Sequence, residues 1–152
     1  MKVQAPFGFI WLDANDQGLT NISFTELTDH HDNRYTRQAA DELADYFSGK
    51  RTSFDVPLSI QTGTVFQQKV WQALTKIPYG ETRSYLDIAI AVDSPKAVRA
   101  IGQANSKNPL PIIIPCHRVI GKNGKLTGYL GSAQQDGLSI KQDLLAIEHI
   151  IF

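Results

Sequence analysis

The chain has 152 residues, 42% apolar and 20% charged. That is enough to bury a core in one domain or two small lobes, and it excludes a disordered chain. Fifteen basic residues offset fifteen acidic ones, so the molecule as a whole has no field that would draw it to nucleic acid or to a membrane surface. A single cysteine excludes an internal disulfide and a cysteine-based zinc cluster.

The opening MKVQAPFGFIW lacks a basic segment followed by a long apolar run, and nothing approaches the about 18 apolar residues of a spanning helix. The expectation is a cytoplasmic protein that makes no membrane contact. FGFIWL, DANDQG and LTNISFTEL then alternate apolar runs with turn formers, as a hairpin does. The adjacent His30 and His31, beside Asp29 and Asp32, read as a solvated loop rather than a ligand set, so no metal is expected.

RYTRQAADELADYFSGK repeats Ala39, Leu43 and Phe47 at helical spacing and stops at Gly49 and Lys50. SFDVPLSI reads as one more short strand. This order describes a small α+β lobe over residues 1–62.

From Gly63 the character changes, and a second domain is expected over residues 63–152. Thr64 and Gln67 fit a capping box, followed by Phe66, Val70 and Leu74 on one face, with Pro78 closing the run. Ser84 and Asp87 offer a second cap ahead of YLDIAIAV, and Ser94-Pro95 a third, with proline at the first helical position. Two short helices around VDSPK, the second over about residues 95–105, have the order of a helix-turn-helix. They have equally the order of two packed core helices. Residues 94–135 hold no acid but six cations, Lys96, Arg99, Lys107, Arg118, Lys122 and Lys125, which favours a nucleic-acid face.

NPLPIIIPCHRVIGKNGKLTGYLG follows. Its prolines bar a helix, Ile112 to Ile114 read as a buried extended segment, and Lys122-Asn123-Gly124 as a tight turn. LSIKQDLLAIEHIIF places Ile140, Leu144, Ile147 and Ile151 on one helical face.

Cys116 is followed by His117 and Arg118. A thiol attacks as thiolate, which requires a base, a cation or a helix N-terminus nearby. In a regular strand His117 would face away from Cys116, so the pair can work together only if the backbone turns there, as Pro115 allows. Buried, inert packing is the competing reading of a lone cysteine.

NPLPIIIPCHRVIGKNGKLTGY closely resembles the active-site segment of the O6-alkylguanine-DNA alkyltransferases. The likeness extends through FQQKVWQALTKIPYGETRSY, SPKAVRAIGQANSKNP, KQDLLAIE and FSGKRTSFDVPL, and is weakest before residue 40. It implies an α/β (α+β) architecture, with a small ribonuclease-H-like N-terminal lobe and a helical C-terminal domain carrying a winged-helix-like helix-turn-helix. It implies direct repair of double-stranded DNA containing O6-alkylguanine, with O4-alkylthymine a candidate second substrate, by a single-use monomer that needs no cofactor.

By position, the resemblance makes Cys116 the alkyl acceptor, His117 its proton acceptor through a water, and Glu148 the residue that orients His117. Asn108 joins the reader helix to the active-site segment. Tyr85 holds the flipped base and its phosphate, and Arg99 fills the gap that the base leaves. Ser94, Lys96, Ala97, Ala100, Gly102 and Arg118 complete the DNA face. Pro111, Tyr129, Leu130 and Gly131 form the alkyl pocket.

After Tyr129 the text departs from the family pattern: Leu130, Gly131 and Ser132, then AQQDG, five extra residues ahead of the last helix. The expectation is a reshaped pocket wall with altered tolerance of bulky adducts. Two other classes stand beside transfer. One is a damage binder without transfer, which the presence of Cys116 disfavours. The other is a Cys-His hydrolase, which would need turnover and an oxyanion hole.

Overall fold

In the computed structural model, residues 1–121 and 135–150 are described. The chain divides into two compact units, Met1–Thr62 and Gly63–Phe152. The first is a mixed α/β lobe. Strands β1 (Lys2–Ala5), β2 (Gly8–Ala14) and β3 (Leu19–Ser23) form an antiparallel sheet in that order, and helix α1 (Arg34–Phe47) lies against it.

Alternation builds this lobe. Ile10, Leu12 and Ala14 of β2 are buried, and meet Leu19 and Ile22 of β3 and Ala39, Leu43 and Tyr46 of α1 in the core. Asn33 starts α1 through a reciprocal capping box with Thr36. SFDVPLSI is not a strand of the sheet: it forms one isolated parallel bridge, Leu58 with Leu19. The reason is a side chain from α1. The buried Glu42 carboxylate accepts from the amides of Asp55 and Val56 at 2.8 and 3.1 Å, and Pro57 has no amide to pair.

The second unit is mostly helical, with α2 (Val65–Thr75), α3 (Tyr85–Ala91), α4 (Val98–Ser106) and α5 (Gln135–Ile147). Gly63 opens it with φ +101°, and a Cβ there would come within 2.5 Å of the Trp71 ring, so only glycine fits. Both predicted capping boxes form, Thr64 with Gln67 and Ser84 with Asp87. The third start does not form. Ser94 and Pro95 lie in a turn, and α4 begins at Val98 behind Ala97, with no side-chain cap.

Trp71 is buried and donates its indole N–H to the Ala104 carbonyl at 2.8 Å, tying α2 to α4. A parallel pair, β4 (Arg83–Ser84) with β5 (Val119–Ile120), sets the start of α3 beside the turn that holds Cys116. Ile112 to Ile114 are not extended either. Ile112 has φ +77° and the segment closes in a tight turn, bridged between Pro111 and Ile114.

Candidate active site

Three prolines, Pro109, Pro111 and Pro115, strip amides from the segment after α4, so it cannot be held by a backbone ladder. A side chain holds it instead. The buried Asn108 accepts from the Leu110 amide at 2.9 Å and donates through Nδ2 to the Ile114 carbonyl at 2.9 Å and to Cys116 Sγ at 3.2 Å. One carboxamide thus joins the end of α4 to the cysteine sulfur. The clasp also holds buried Ile112 in a left-handed conformation, which a β-branched residue adopts only under strain.

Beyond Pro115 the backbone makes a 3-10 turn, Cys116–Arg118, rather than a strand. Cys116 is 2% exposed and His117 is fully buried. His117 Nε2 lies 2.6 Å from Glu148 Oε2. An ionised carboxylate only accepts, so Nε2 carries the hydrogen and Nδ1 is left with its lone pair. Among the described residues, Nδ1 has no hydrogen-bond partner. Burial lowers the His117 pKa from 6.5. The hydrogen bond and charge of Glu148 oppose that shift, while Arg118 and Lys141 add to it. The imidazole is therefore neutral at neutral pH, a base with one open nitrogen.

Glu148 follows the last residue of α5 and is 1% exposed. Its carboxylate accepts a bidentate pair from Arg118, Nε at 2.8 Å and Nη2 at 3.0 Å, and the Gly80 amide at 3.1 Å. Arg118 Nη1 donates to the Ile77 carbonyl at 2.7 Å. The sequence-level assignment of Arg118 to a DNA face is therefore wrong. At 6% exposure, with its fork on Glu148, it is an internal cation that anchors the residue orienting His117. Tyr79 donates to the Ile147 carbonyl at 3.1 Å, and burial, reinforced by Glu148, raises its pKa.

Lys141 was missed in the sequence. It is 1% exposed on α5, donating to the Val119 carbonyl at 2.6 Å. Burial lowers its pKa to about 8, and the neighbouring Cys116 opposes that shift. The only sequence signal was position: Lys141 shares a helical face with Leu144, Leu145 and Glu148, all buried.

The remaining residues lie on and around α3 and α4. Tyr85 opens α3 and is half-buried; Lys96, Arg99 and Lys107 are exposed; Ser94, Ala97, Ala100 and Gly102 are half-buried. Gly102 is a helical glycine around which a Cβ would meet nothing within 4 Å. Internal packing therefore gives no reason for a residue that weakens a helix interior by ~1 kcal/mol relative to alanine. Pro111 is buried. Tyr129, Leu130 and Gly131, the five extra residues up to Gly137 save its last three, Lys122-Asn123-Gly124 and Lys125 lie outside the described residues.

Known proteins resemble this chain over both units. The family model described as "6-O-methylguanine DNA methyltransferase, DNA binding domain" matches residues 65–150, and "6-O-methylguanine DNA methyltransferase, ribonuclease-like domain" matches residues 2–60. A constitutive methylated-DNA–protein-cysteine methyltransferase of Bacillus subtilis is 59% identical over 125 residues, 82% of this chain and 73% of the relative. A methylated-DNA–protein-cysteine methyltransferase of Methanosarcina barkeri is 47% identical over 96% of this chain and 94% of the relative. The crystal structure of Mycobacterium tuberculosis OGT in complex with DNA is similar at 46% identity and TM-score 0.85, covering 97% of this chain and 90% of that one.

Proposed function

The chain belongs to the 6-O-methylguanine DNA methyltransferase family, and from that premise we propose that it repairs DNA by moving the alkyl group of O6-alkylguanine onto its own Cys116. The observation that supports this most directly is the buried chain of contacts from Asn108 to Cys116 and from His117 to Glu148. It supplies a donor for a thiolate and a neutral, oriented base beside it.

The thiol proton leaves through a bridging water to His117 Nδ1, the nitrogen that the Glu148 bond keeps deprotonated. The Asn108 amide N–H stabilises the resulting anion. Sγ then attacks the alkyl carbon in line. The S–C bond forms, the C–O6 bond breaks, and guanine departs with the electron pair, taking up one proton to balance the one the thiol lost. A thioether is a poor leaving group, so each molecule reacts once.

An O6-alkyl group within a base stack cannot be reached in line, so the nucleotide must leave the helix. In this reading α3 and α4 act as a helix-turn-helix. Tyr85 holds the extruded base, Arg99 enters the gap, and Ser94, Ala97, Ala100 and Gly102 let the backbone approach the duplex. Lys96 and Lys107, both exposed, neutralise phosphates and give binding a salt dependence without sequence preference. Pro111 contributes to the alkyl pocket. The protein works as a monomer in the cytoplasm.

The test is to incubate the protein with duplex DNA containing O6-methylguanine and weigh the intact chain and its peptides. Gain of one methyl on Cys116, saturating at one per molecule and lost in Cys116→Ser, is the expected result. Binding without mass change identifies a damage binder instead, and multiple turnover sinks the single-use mechanism.

A further inference from the structure

Helix α2 presents two faces to two different surroundings. Trp71 turns toward α4 through its bond to the Ala104 carbonyl. Lys69, Gln72, Ala73 and Lys76, spaced as i, i+3, i+4 and i+7, form the face turned away from it. With α3 that second face lines a groove of about 650 Å³, within the size range of sites that hold a ligand or a peptide side chain. Among the described residues none of α4 lines it, so the groove belongs to the side of α2 and α3 that α4 does not cover.

The floor of the groove and its rim differ in chemistry. Ile77, Ile88 and Val92 are buried beneath it, and Ala73 and Ala91 keep its walls low. Three cations stand around it, Lys69, Lys76 and Arg83, against one acid, Asp87. Two of these four charges are engaged by their chain neighbours. Arg83 donates to the Thr82 carbonyl at 2.9 Å and to Glu81 at 3.1 Å, and Asp87 accepts from the Ser84 amide at 2.9 Å. Lys69 and Lys76 are exposed, and neither ammonium has a partner among the described residues. Two helical turns separate them, about 10 Å along the axis. The apolar surface continues past the α3 wall: Leu86 is 41% and Ile90 56% exposed, one turn apart and each next in sequence to a groove residue, Asp87 and Ala91. Exposed apolar side chains that adjoin one another and are rimmed by charge mark a surface used for association.

We propose that the α2–α3 groove docks an acidic segment of a partner protein, one that carries a large apolar side chain among its carboxylates. The apolar side chain covers the floor over Ile77, Ile88 and Val92 and removes it from water. The carboxylates pair with Lys69 and Lys76, whose charges the fold itself leaves unused. The same chemistry disfavours other occupants. A nucleic acid would satisfy the lysines, but no aromatic side chain among the described residues lines the groove, so unstacked bases would find no platform there. A small inorganic anion would reach one lysine at a time and leave the floor wet. Docking at this groove adds no group to the Cys116 site and leaves α4 free, so a partner and a duplex can be held at once.

The test selects short random peptides displayed on phage against the immobilised full chain, then titrates the enriched peptides, fluorescently labelled, by anisotropy. They should carry acids flanking a large apolar residue. Combining Lys69→Glu with Lys76→Glu should weaken their binding at least about tenfold. Ala91→Arg, which fills the floor while adding charge of the attractive sign, should weaken it as well. Lys69, Lys76 and Ala91 are all exposed on helices, so thermal midpoints and methyl transfer should stay at wild-type values in these variants.

Two further measurements use wild-type protein only and decide the matter even if a variant does not fold. Replacing the apolar residue of an enriched peptide by serine should abolish binding, and neither duplex DNA nor a single-stranded oligonucleotide should displace the parent peptide. Enrichment of no acidic peptide, or equal affinity for wild type and the folded variants, would overturn the proposal. Undiminished binding of the serine peptide would reduce the groove to nonspecific charge attraction, and displacement by either nucleic acid would assign it to nucleic acid instead; each result sinks the partner reading.

Discussion

Two arginines of the second unit, Arg99 and Arg118, lie in the same acid-free stretch and have opposite fates. Arg99 is exposed on α4 among other exposed cations, whereas Arg118 is buried with its fork on Glu148 and its remaining donor on Ile77. The exposed pair of helices keeps its charges in water, ready for a polyanion. The buried cluster turns its charges inward, where each must be compensated by a named group. Counting basic residues along the chain does not separate these two uses; depth does.

Breaking the inward cluster should have the largest effect. Glu148→Ala strands the Arg118 cation and releases His117, and removal of one partner of a buried pair costs about 3–5 kcal/mol. Urea unfolding of the full chain checks this. The same substitution should slow methyl transfer, because nothing then fixes the His117 tautomer.

A pH series tests the same cluster without a substitution. The folded-state pKa of His117 lies below its ordinary 6.5. Below that pH the unfolded chain takes up a proton that the folded one resists, so stability present above pH 6.5 should be lost as pH falls toward the folded-state pKa. His117→Gln should flatten that part of the calorimetric profile. An unchanged slope would mean that the imidazole is already charged in the fold.

On the exposed helices, stability and binding should part. Gly102→Ala meets no internal obstacle and should stabilise the fold by up to ~1 kcal/mol, while weakening affinity for duplex DNA by filling the space needed for close approach. Arg99→Ala should change unfolding by no more than about 0.5 kcal/mol and lower DNA affinity, read by fluorescence anisotropy. If Arg99→Ala destabilises as strongly as Glu148→Ala, the contrast between the two arginines is wrong.

Much of the fold was legible because its signals are local. The Thr64–Gln67 and Ser84–Asp87 boxes each satisfy amides within three residues of the cap, so the sequence carries the whole interaction. The failures are places where a distant side chain intervened. SFDVPLSI lost its strand because Glu42 took its amides. The segment after Pro111 became a turn under the Asn108 clasp. Ser94 did not cap α4, since its hydroxyl lies on the Val92 carbonyl instead.

By itself, the sequence carried the Thr64 and Ser84 helix starts with their caps and, through resemblance, pointed to Cys116, His117, Asn108 and Glu148 as one site. Only the tertiary structure decided that Arg118 belongs to Glu148 and that Lys141 is buried with its ammonium on the Val119 carbonyl. The physical reason is range. Caps and periodic faces are settled within a turn or two of chain, but whether a charge is buried, and which group compensates it, depends on segments 30 residues apart meeting away from water.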